Sequence, residues 1–98
     1  RVYYLLSRIA EERQEMERAK EMLKKALYLD PVFVPAYIDL AALYHSESDS
    51  RRARKLRQSA LDCLRLMKPD DWIEGHSATA AELIAAVEAL IDCSIAHD

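Results

Sequence analysis

Apolar side chains recur three and four positions apart in five stretches of this chain, with short polar breaks between them. That spacing predicts five amphipathic helices. The first runs from the start of the chain to about Arg13, with Val2, Leu5, Leu6, Ile9 and Ala10 on its buried side. The second spans about Glu15 to Leu29, with Ala19, Leu23, Ala26 and Leu27 inward and Glu21 and Lys25 as an outward pair four positions apart. The third spans about Pro35 to Ser46 and the fourth about Ser50 to Met67. The last runs from Thr79 to about Ile95 on a stripe of Leu83, Ile84, Val87, Leu90 and Ile91.

The breaks have their own chemistry. Asp30-Pro31 ends the second helix, because proline cannot donate the next helical hydrogen bond and disfavours helical geometry in the residue before it. Pro35 suits the opening turn of the third helix. Asp49 or Ser50 is the expected N-cap of the fourth. Residues 68 to 78 read as a loop from Pro69, Asp70, Asp71 and Gly75, the only glycine. Thr79 and Glu82 then form a T-x-x-E capping box at the start of the closing helix.

The helices repeat. Tyr3 and Tyr37, Leu6 and Leu40, Ala19 and Ala53, and Ala26 and Ala60 each lie 34 positions apart. A period of 34 with small residues at fixed slots is the tetratricopeptide signature, an antiparallel helix pair that stacks on its neighbours. Small side chains at Ala19, Ala26, Ala41, Ala53 and Ala60 let backbones approach, while Leu6, Leu23, Leu40, Leu43, Leu56 and Leu64 fill the space between. The expected fold is therefore all-α: one domain over residues 1–98, with two helical hairpins (about 1–33 and 34–67), a loop (68–78) and a capping helix (79–95). The hairpins would stack as a right-handed superhelix, with the closing helix covering its exposed end.

Composition narrows the functions. One glycine leaves no glycine-rich phosphate loop, and no apolar run approaches the roughly 20 residues needed to cross a bilayer. Two cysteines, Cys63 and Cys93, make no disulfide framework, so a reducing, cytoplasmic setting is expected. Net charge is −3, and residues 70–98 hold seven acidic and no basic side chains. Arg51, Arg52, Arg54, Lys55 and Arg57 read as a solvated face partly balanced by the acidic last helix. Without interleaved aromatics they carry no nucleic-acid signal.

The run AKEMLKKALYLDPVFVPAYIDLAALY, then RRARKLRQSALDCLRLMKPDD, then SATAAELIAAVEALI resembles the tetratricopeptide region that follows the catalytic domain of bacterial CheR-type chemotaxis receptor methyltransferases. The resemblance implies a fragment of a longer, S-adenosylmethionine-dependent enzyme that methylates chemoreceptor glutamates. Its catalytic domain would precede Arg1, so no catalytic residue and no cofactor is assigned to this chain. The expected partners are a chemoreceptor, a response regulator or the enzyme's own catalytic domain, with a generic tetratricopeptide adaptor or secretion chaperone as the alternative. Gln14 and Ser48 occupy turn positions where such repeats often have glycine, and Arg57 stands where a bulky apolar residue is usual.

In this architecture the first helix of each hairpin lines a concave face. That places Tyr4, Arg8, Glu11 and Glu12, together with Ile38, Asp39, Ala42 and His45, towards a bound partner. The slots that hold lysine and asparagine in carboxylate-clamping modules carry Tyr4, Arg8 and Asp39, which disfavours that mode. No nucleophile, base and orienting group can be assembled. Cys93 and His97, four apart, amount to half a metal site at most. Tyr28 is expected to be buried at the end of the second helix, and Trp72 to pack beside Ile73 onto the fourth and fifth. The start of helix one is an edge open to self-association.

Overall fold

A computed structural model describes residues 2–73 and 75–97, the side chains of 93–97 excepted. Among them are five helices and no strand: α1 (Val2–Glu12), α2 (Met16–Leu29), α3 (Val34–Ser46), α4 (Ser50–Leu64) and α5 (Ala80–His97). The architecture is an all-α, tetratricopeptide-like helical repeat. α1 packs on α2, α3 packs on α2 and α4, and α5 packs on α4.

α3 is the central element. Val34, Pro35, Ala36, Leu40, Ala41, Leu43 and Tyr44 are all buried, so its apolar residues face neighbours on several sides rather than along one stripe. The small-residue slots behave as the repeat demands. Ala19, Ala41, Ala53 and Ala60 have no exposed surface. Neither has Ser7, which lies 34 positions before Ala41 and satisfies its hydroxyl by donating to the Tyr4 carbonyl at 2.6 Å. One core cluster joins α1, α2, α3 and the start of α4 around Leu23 and Leu40. A second gathers Val34, Ala60, Leu64, Ile73, Ala80 and Leu83, and a third closes α4 on α5 through Leu61, Val87 and Ile91.

α1 departs from the expected pattern. Tyr4, Ser7 and Ala10 are buried, whereas Val2, Leu5, Leu6 and Ile9 are exposed. The reason is positional. Leu40 is 2% exposed because α2 lies in front of α3, while Leu6, in the equivalent slot, is 38% exposed because no described helix lies in front of α1. Tyr28 is likewise exposed, at 86%, rather than buried. α4 ends at Leu64, three residues early, because Leu66 and Met67 donate to Cys63 and Leu64 in tight turns that lead to Pro69.

The caps are as read. Asp49 accepts from the Arg52 amide at 3.2 Å, and Thr79 and Glu82 bond each other's backbone amides at 3.3 and 3.0 Å. The hydrogen bonds to Thr79 hold the Glu82 carboxyl below its ordinary pKa. Tyr37 ties the hairpins together by donating to the Pro31 carbonyl at 2.7 Å.

Gln14 and Ser48, 34 positions apart, both adopt left-handed backbone, with φ of 60° and 64°. A side chain in that region clashes with its own carbonyl. Gln14→Gly and Ser48→Gly are each expected to stabilise the fold by about 0.5–1 kcal/mol. Thermal melts of the single and double variants check this, with additive gains expected because the two turns are separate.

Candidate functional site on the α1–α3 face

α1 and α3 are the first helices of their hairpins and bring a charged cluster together around Tyr4. The Tyr4 ring meets Phe33 edge-on at 5.1 Å and is 7% exposed. Arg8, one turn on, sits 5.9 Å from the ring centroid. Asp39 approaches the Tyr4 hydroxyl from α3. Burial, and then Asp39, push the Tyr4 pKa up to about 12, against the opposing pull of Arg8. The Tyr4 hydroxyl and then Asp39 and Glu11 raise the pKa of Arg8.

Glu11 completes the cluster. Burial, followed by the like charge of Asp39, raises its carboxyl pKa, with Arg8 opposing. Among the described residues, the Glu11 and Asp39 carboxylates thus share one face with the Arg8 guanidinium. An added cation is favoured there and an added anion is not.

Of the other residues placed on this face by the sequence, Glu12, Ala42 and His45 are exposed and outside the cluster. Ile38 is half-buried against α5, where it packs with Ile84, Leu61, Val87 and Ile91. It serves the seam to the closing helix.

The loop before α5 also reaches this face, which the sequence did not indicate. A Cβ built on Gly75 would lie 3.8 Å from the Tyr4 hydroxyl oxygen, and Gly75 has φ of 80°. The loop is held by pairing of Trp72 with Thr79 and by the Ala80 amide donating to Asp71 at 2.8 Å. Ile73 is buried at 3%, as expected, but Trp72 is 66% exposed rather than packed down onto α4 and α5. The signal that could have located the loop was Ile73, an apolar residue within a polar stretch that needs a buried destination.

Arg57 packs inward at 7% exposure, and burial lowers its pKa. α4 nevertheless keeps the standard packing through Ala53, Ala60, Leu61 and Leu64. Its described ion pair with the acidic last helix is Arg65 to Glu88 at 3.1 Å. Cys63 is raised in pKa by burial and then by Asp62 and Asp30, which keeps it a thiol. No group of three metal-ligating side chains occurs among the described residues, and the Cys93 and His97 side chains lie outside them. No helix among the described residues is long and apolar enough to cross a membrane.

Comparison with known proteins agrees with this architecture. Residues 1–33 match the tetratricopeptide repeat family model. That repeat is a non-catalytic helical hairpin of the kind that mediates protein–protein binding. No curated protein and no solved structure matches the chain.

Proposed function

We propose that this chain is a protein-interaction module whose α1–α3 face holds a segment of a partner protein, and that it regulates a chemotaxis-type receptor methyltransferase. The observation that carries the binding role is the convergence of Tyr4, Arg8, Glu11 and Asp39 from two hairpins onto one face. A basic side chain of the partner would sit against Glu11 and Asp39, offsetting the burial and then the like charge of Asp39 that raise the Glu11 pKa. Tyr4, buried against Phe33, anchors Arg8 and Asp39 beside it, and the loop at Gly75 bounds the site.

The methyltransferase setting rests on the resemblance of ALYLDP, FVPAY, LRLMKPDD and the opening of the closing helix to that family's repeat region. In that setting S-adenosylmethionine belongs to a catalytic domain ahead of Arg1, and the groove positions read from the sequence, Ile38 at the α5 seam excepted, lie on the face towards the receptor, the response regulator or that domain. Tyr4, Arg8, Glu11 and Asp39 are the four that matter most to binding.

Capture of cognate chemoreceptors, response regulator and catalytic domain on the immobilised chain tests both levels. Binding to one of them, weakened about tenfold or more by Asp39→Lys, supports the full reading. Binding of unrelated peptides with the same Asp39 dependence keeps the interaction module and removes the methyltransferase setting. Binding that ignores Asp39→Lys and Glu11→Lys removes the site.

A further inference from the structure

A second recess lies between α2 and α4, the second helices of the two hairpins, and shares no lining residue with the Tyr4 cluster. It is a cleft of about 410 Å³ with Leu27, Leu40 and Leu56 at its base and Lys24, Arg52 and Lys55 around it. An adjoining recess is lined by Asp49 and Arg51 together with the same Arg52 and Lys55.

The charges are unevenly satisfied. Tyr44 lies beneath three cations, Lys20 at 5.1 Å, Arg52 at 5.5 Å and Lys24 at 5.8 Å from its ring centroid. Lys20 is neutralised by Glu47 at 2.6 Å and Glu17 at 2.9 Å, and Arg52 is paired with Asp49 at 3.5 Å. Lys24, Lys55 and Arg51 are exposed and make no ion pair among the described residues. Uncompensated positive charge over an apolar base is unexpected in a chain of net charge −3, and it defines what would fit.

We propose that this cleft docks an acidic, amphipathic segment of a partner protein, which seats an apolar side chain on Leu27, Leu40 and Leu56 and lays carboxylates on Lys24, Lys55 and Arg52. Helix-in-groove recognition of this kind needs apolar anchors at helical spacing and charges of the opposite sign beside them. Single-stranded nucleic acid fits less well, because it stacks on exposed rings and Tyr44 is 6% exposed beneath its cations. A bilayer fits less well too, since Leu40 is buried and Leu27 and Leu56 are half-buried rather than standing out to enter it.

The test uses the full chain and a fluorescein-labelled helical peptide with leucines at three- and four-residue spacing flanked by glutamates. Two controls replace the glutamates by lysine or the leucines by alanine. Fluorescence anisotropy is expected to show the acidic peptide binding at least about tenfold tighter than either control. Binding should weaken with salt and fall about tenfold in Lys24→Glu/Lys55→Glu, while Asp39→Lys leaves it unchanged. Lys24→Gln/Lys55→Gln should shift affinity in the same direction if the reversal disturbs folding. No binding of the acidic peptide at millimolar concentration, equal affinity for the lysine control, or indifference to both double variants overturns the proposal. So does tighter binding of a deoxythymidine oligomer or of phosphatidylserine vesicles to the same lysines.

Discussion

Leu23→Ala is expected to remove about 3–4 kcal/mol of stability and to lower the melting temperature by about 12–30 °C. Leu23 has no exposed surface and stands at the centre of the cluster that joins α1, α2, α3 and the start of α4. Truncation there loses the transfer free energy of the removed carbons and leaves a cavity. The same cluster holds Ala19, Ala41 and Ala53, which are themselves fully buried and have no spare side chain to fill the space. The informative control is the pair Leu6 and Leu40, which share a slot 34 positions apart. Leu40→Ala should cost nearly as much as Leu23→Ala, whereas Leu6→Ala should cost under about 1 kcal/mol, because Leu6 already keeps much of its surface in water. Urea denaturation of the three variants measures this directly, and equal losses at Leu6 and Leu40 would show that the α1 surface is covered.

That pair also marks how far a sequence can be read. Periodicity located every helix and the repeat located the small slots, since both are local consequences of 3.6-residue geometry and of close helix approach. The capping box at Thr79 was equally legible, because a few adjacent residues determine it. Gln14 and Ser48 were legible only as turn positions where the repeat often has glycine, and the left-handed backbone there is a finding of the structure. Periodicity marks the apolar stripe of a helix but not what lies against it. Val2, Leu5, Leu6 and Ile9 form a regular stripe and are exposed for want of a neighbour, while Tyr4 and Ser7, off that stripe, are buried against neighbours they do have. Tyr28 shows the same limit at the end of α2, where no described element comes back to cover it.

The α1–α3 face was legible as a set of positions and not as a cluster. Taking the first helix of each hairpin gathers Tyr4, Arg8, Glu11 and Asp39, but spacing alone gives equal weight to Glu12, Ala42 and His45. What separates them is rotation of one helix against the other, which puts Asp39 opposite Tyr4 and turns Ile38 towards α5. The approach of Gly75 depends on a fourteen-residue excursion between Leu64 and Thr79, and nothing local to α1 encodes it.

Arg57→Leu is expected to stabilise the fold by about 2 kcal/mol, close to the value of burying a leucine side chain. Arg57 occupies the slot held by Leu23 one repeat earlier, 34 positions before it. It is 7% exposed, makes no ion pair among the described residues, and is lowered in pKa by burial alone. The guanidinium has therefore lost water without gaining a compensating charge, and its stem fills a position that a branched apolar side chain fills better. Leucine and arginine have nearly equal helix propensities, so the gain reports on the environment of the side chain rather than on helix formation. Arg57→Lys keeps the cation while shortening the contact and should be no more stable than the parent; Arg57→Ala loses the packing of the stem and should be less stable. A rise in the urea midpoint at unchanged denaturant slope is the expected signature of Arg57→Leu. A loss of stability in that variant would mean that the guanidinium holds neighbouring groups in place, and that the second hairpin keeps its arginine for a contact rather than in spite of a cost.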